Sequence, residues 1–107
     1  MTFRENLDEA WNLASQTSSS RHQECRERME DHVERWLELH RKNESVIRSL
    51  EEQVERCEEM ESSARSREFA ERVQGWIEEK LDKIRDIRRT NQELEERIET
   101  AKGKLRR

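Results

Sequence analysis

The chain has no proline and no tyrosine, only two glycines, two cysteines and 5% aromatic residues among its 107 positions. Without proline, and with so little glycine, little in it breaks a helix or shapes a tight turn. Apolar residues make up 30% of the chain, against roughly half in an ordinary globular domain, which excludes a thick core of several layers. No apolar run approaches the roughly 18–20 residues that cross a bilayer, and none has the form of a signal peptide. Two cysteines without disulfide or metal spacing suit a reducing compartment. The expected location is intracellular: cytoplasmic, with the nucleus as the alternative.

What the chain has is charge. Charged residues are 45% of it, 22 basic and 26 acidic, for a net charge of −4. Low hydrophobicity with many charges is the signature of disorder. Here, however, the charges nearly cancel and the apolar residues are periodic, which predicts long helices. The balance is uneven: residues 21–61 carry 8 basic and 13 acidic side chains, whereas 84–107 carry 8 and 5. A general polyanion binder would need a more concentrated basic footprint, so nucleic acid is an unlikely partner.

The organising pattern is Ile84, Ile87, Asn91, Leu94, Ile98, Ala101 and Leu105, with steps that alternate three and four residues. That spacing is a coiled-coil seam, and so thin an apolar stripe must lie against another helix. A second seam runs through Met29, Val33, Trp36, His40, Asn43, Ile47, Leu50, Val54 and Cys57. Ser62 to Arg67 interrupts the pattern, and a third segment opens with Phe69, Ala70, Val73, Trp76, Ile77 and Leu81 before joining the first seam. Thr2 and Glu5 form a capping box ahead of Phe3, Leu7, Ala10, Trp11 and Ala14, which share one helical face. Ser20 and Gln23 form another.

The expected fold is therefore all-α. A short amphipathic helix (1–15) and a Ser-rich linker (16–20) precede a coiled-coil region (21–107), folded as a hairpin of helices at about 21–61 and 67–105. The near-equal lengths and the change of seam phase across the break favour the hairpin. Glutamates at 51, 52, 55, 58 and 59 would then face Arg65, Arg67 and Arg72. The alternative is one unbroken helix from 21 to 105, about 128 Å long at 1.5 Å per residue. Within the hairpin, folding about residue 64 sets Asn43 near Ile84, and folding about residue 67 sets Asn43 opposite Asn91. The second register pairs two amides that would otherwise each lose about 1–3 kcal/mol if buried alone.

No constellation carries chemistry. His22, Cys25, His32 and His40 are spread over too many helical turns to converge on one tetrahedral ion. There is no phosphate-binding glycine loop, nucleophile elbow or paired-carboxylate pocket, so no enzyme, cofactor, metal or small-molecule substrate is expected. The residues expected to meet a partner are the seam and anchor side chains Trp36, Ile47, Leu50, Trp76, Ile77, Ile84, Ile87, Asn91, Leu94, Ile98 and Leu105. Trp is enriched among interface hot spots, which singles out Trp36 and Trp76. In a parallel pairing of the last segment with itself, Lys83 would face Arg88 and Arg97 would face Lys102, both repulsive. That argues for an acidic-edged partner helix, either the chain's own middle segment or another protein, with a heteromer preferred over a homodimer.

In outline the chain resembles the small coiled-coil subunits of multiprotein complexes in intracellular transport, kinetochores and spindle assembly. The likeness is one of architecture, and it implies a non-enzymatic structural or interaction subunit. The alternatives are a small helical chaperone or regulator that shields a partner's helix, and a binder of polyanions or membrane surfaces through the basic last third.

Overall fold

A computed structural model describes residues 4–9 and 19–106, the side chains of 19–21 excepted. Residues 4–9 are helical (α1), followed by two long helices, α2 (Ser19–Ser62) and α3 (Arg67–Leu105). The fold is thus all-helical: a short N-terminal helix, then α2 and α3 packed antiparallel as a hairpin. Thr2, Phe3, Ala10, Trp11, Ala14 and most of the Ser-rich linker lie outside the described residues.

The turn is made without glycine or proline. At the end of α2, Ser63 N–H still donates to Glu59 O, 3.1 Å away, and Ala64 N–H tightens to Glu61 O at 3.2 Å. Ser62 Oγ donates to Glu58 O, so its hydroxyl occupies a carbonyl where the helix runs out. Ser66 then starts α3: its Oγ accepts the Phe69 N–H at 3.1 Å, an N-cap that satisfies one of the helix's orphan donors. Among the described residues no backbone takes a positive φ, so the reversal is built from serine hydrogen bonds. Glu68 in the first turn of α3, and Lys102 and Lys104 in its last, complement the helix dipole.

The chain divides into two units. The turn unit, Arg41–Asn91, has a core of Ile47, Val54, Cys57, Val73, Ile77 and Ile84, with Leu50, Phe69 and Ile87 packed against it. The terminal unit comprises Met1–His40 and Gln92–Arg107. Its core is Met29, Val33, Ile98 and Ala101, flanked by half-buried Leu7, Cys25, Trp36 and Leu105. Leu7 brings α1 onto this core from within the same chain, and Asp8 forms an ion pair with Lys104 on α3.

Candidate helix-interaction site

Register is set by amides. Asn43 Nδ2 donates to Asn91 Oδ1 at 2.8 Å, and Asn91 Nδ2 donates to Glu44 Oε1 at 3.0 Å. Asn91 is only 3% exposed, so both ends of a buried amide are satisfied inside the turn unit. Of the two registers open to the hairpin, the one that pairs the asparagines is adopted. An unpaired buried amide would cost about 1–3 kcal/mol, enough to separate neighbouring registers.

The seam residues expected to meet a partner are covered by the chain itself. In the turn unit Ile47, Ile77 and Ile84 are buried, Leu50 and Ile87 are half-buried against them, and Asn91 is buried in its amide network. In the terminal unit Leu94 and Ile98 are buried, and Leu105 and Trp36 are half-buried against the core. The Trp36 indole also stacks on His32, with centroids 5.6 Å apart and planes 18° from parallel. Trp76 differs from all of these: it is 42% exposed.

The two flanks of the turn unit's seam are unlike. One is polar: Arg88 on α3 reaches Glu51 on α2 at 3.1 Å, and Glu44 meets Asn91. Glu51 was expected to face the arginines just past the turn. Its partner is Arg88, because the amide-paired register brings that stretch of α3 alongside, while Arg67 pairs with Glu71 of its own helix. The other flank is defined on α2 by Val46, Gln53 and Met60, and on α3 by Phe69, Trp76 and Lys83, each series spaced by seven. Val46, Met60 and Trp76 are exposed there, and Phe69 stands edge-on to Trp76 with centroids 6.3 Å apart.

Trp76 was singled out by its residue type alone. Val46 and Met60 were not, because attention to the three-and-four steps of the seam passes over the positions beside it. The signal that finds them is a seven-residue repeat, Val46, Gln53 and Met60, that starts one position before the seam pair Ile47 and Val54, as Phe69 and Trp76 stand one before Ala70 and Ile77. Among the described residues no helix is long and apolar enough to cross a membrane. Compared with protein-family models, curated proteins and solved structures, the chain matches none.

Proposed function

We propose that this chain is a non-enzymatic interaction subunit of a larger intracellular multiprotein assembly, and that it acts by packing a helix of a partner against the outer flank of its hairpin. The observation that carries the reading is the exposed Trp76, with Phe69 edge-on beside it and Met60 on the facing helix. Large aromatic side chains left outside a closed seam are the residues from which interface hot spots are built. Residues flanked by charges on both sides fit a partner helix better than a lipid surface, which favours a broad apolar face with a basic rim.

The edge charges that weigh against self-pairing of α3 have an answer within the chain, since Arg88 meets Glu51. They therefore bear on the seam and leave the identity of the outer partner to the flank. A second reading, a small regulator that shields a partner's helix, draws support from the way α2 closes the α3 stripe in the same chain. An isolated, purified chain that is both helical and monomeric favours the regulator; helicity that appears only on association with a partner favours an obligate subunit.

Site-specific photo-crosslinking in cells tests the interaction reading. A photoreactive side chain at position 76 is expected to join covalently to another polypeptide, and one at Asp82, on the solvent side of α3, is not. Absence of any protein adduct at 76, or equal adducts at both positions, counts against the proposal.

A further inference from the structure

The geometry points to a second copy of this chain as the occupant of the Trp76 flank, packed so that α2 of each copy lies over α3 of the other. This rests on the interaction reading above and names the partner for that surface. The argument comes from the charges that border the flank in the turn unit.

On α2 the outer border of the flank is Lys42, Ser49 and Arg56; on α3 it includes Glu79 and Asp86. One border is basic and the other acidic, with the apolar side chains between them. The pairing of Asn43 with Asn91 fixes the heights. Arg56 is thirteen residues beyond Asn43, and Glu79 is twelve residues before Asn91, so the two are level to within about 2 Å at 1.5 Å per residue. Met60 and Trp76 are level in the same way, to within about 3 Å.

A face that carries opposite charges at equal heights on its two edges is complementary to itself under one symmetry operation. A two-fold axis parallel to the helices preserves height and exchanges α2 for α3 across the interface. It sets Arg56 of each copy against Glu79 of the other, Ser49 against Asp86, and Met60 against Trp76. Arg72, the one cation on the α3 border, then meets the uncharged Ser63. The other face-to-face two-fold, perpendicular to the helices, lays α2 on α2 and turns the basic border onto its own copy. Like charges across an interface select against that arrangement. Arg56 and Glu79 are both exposed, and the ion pair that Glu79 makes with Lys83, at 3.9 Å, lies on its own helix, so neither is held in the seam. The product is a four-helix unit in which the two turn ends lie together.

Sedimentation equilibrium of the full chain over a concentration series tests this, with circular dichroism to verify that each variant stays helical. The wild type is expected to dimerise reversibly. R56E and E79R, each of which creates two repulsive contacts per dimer, should each weaken dimerisation by about tenfold or more. An equimolar mixture of R56E with E79R should recover it, because each variant's changed side chain then faces an opposite charge. The R56E/E79R double variant should recover it too. A wild type that stays monomeric throughout overturns the inference, as does a dimer indifferent to the single reversals or a mixture that does not recover. A monomeric wild type that still crosslinks from position 76 to a different protein leaves the interaction reading standing and removes only the second copy.

Discussion

The turn unit and the terminal unit solve one problem with different means. In the turn unit six apolar side chains are buried, three Ile, two Val and Cys57, and the connection at residues 63–66 holds the two helices together. A short closed loop limits the entropy lost when the helices pair. The terminal unit buries five apolar side chains, Met29, Val33, Leu94, Ile98 and Ala101, of which Met29 and Ala101 are the least specific in shape, and it leans on half-buried Trp36, Leu105 and Leu7. Where helix ends lack a covalent turn, a third segment supplies the cover: α1 brings Leu7 and the Asp8–Lys104 ion pair. A two-helix seam is sufficient beside a turn and needs a lid elsewhere.

The largest effect should come from the turn unit's core. Ile84→Ala, at a side chain 3% exposed, is expected to destabilise by about 2–4 kcal/mol in urea unfolding, from lost burial and the cavity left behind. A loss below that of an exposed substitution would mean that this core does not hold the unit.

Next is the amide pair. Asn43→Ala removes the donor to Asn91 Oδ1 and should cost about 1–3 kcal/mol, because the remaining amide stays buried. Replacing both asparagines with leucine should restore stability while loosening register, seen as a second set of α3 amide resonances. A double variant as unstable as the single one contradicts the network.

Leu7→Ala is expected to destabilise by about 1 kcal/mol and to act locally, since the side chain is half-buried. Hydrogen exchange should quicken at the amides of Leu94–Leu105 and hold at those of Ile47–Val54. Uniform quickening would make α1 a general stabiliser and erase the contrast between the units. Smallest is Gly75→Ala. A Cβ there meets nothing within 4 Å, so the change should stabilise by about 0.5–1 kcal/mol through helix propensity alone. A fall in melting temperature would show that the surface at Gly75 is occupied.

Much of the fold was legible in the residues. Steps of three and four placed both seams, and the positions they marked on α2 from Met29 to Cys57 are buried or half-buried. The break at Ser62–Arg67 was visible because the apolar seam stops there, and in the structure Ser62 and Ser66 make the side-chain hydrogen bonds that end one helix and start the next. The site was less legible. Trp76 stood out by type, but Ile84, Ile87 and Ile98 looked equally available to a partner until α2 covered them. The docking of α1 also could not be read, because Leu7 and Asp8 would suit any apolar helix that carries a lysine.

Periodicity alone determined that the chain forms long amphipathic helices with a narrow stripe in need of cover, since 3.6 residues per turn leaves no other arrangement for apolar residues at such steps. Only the tertiary structure decided which helix covers the stripe, at what height, and which apolar residues stay outside. Those outcomes depend on where two distant amides meet, Asn43 and Asn91, and a contact across 48 positions leaves no mark on local spacing.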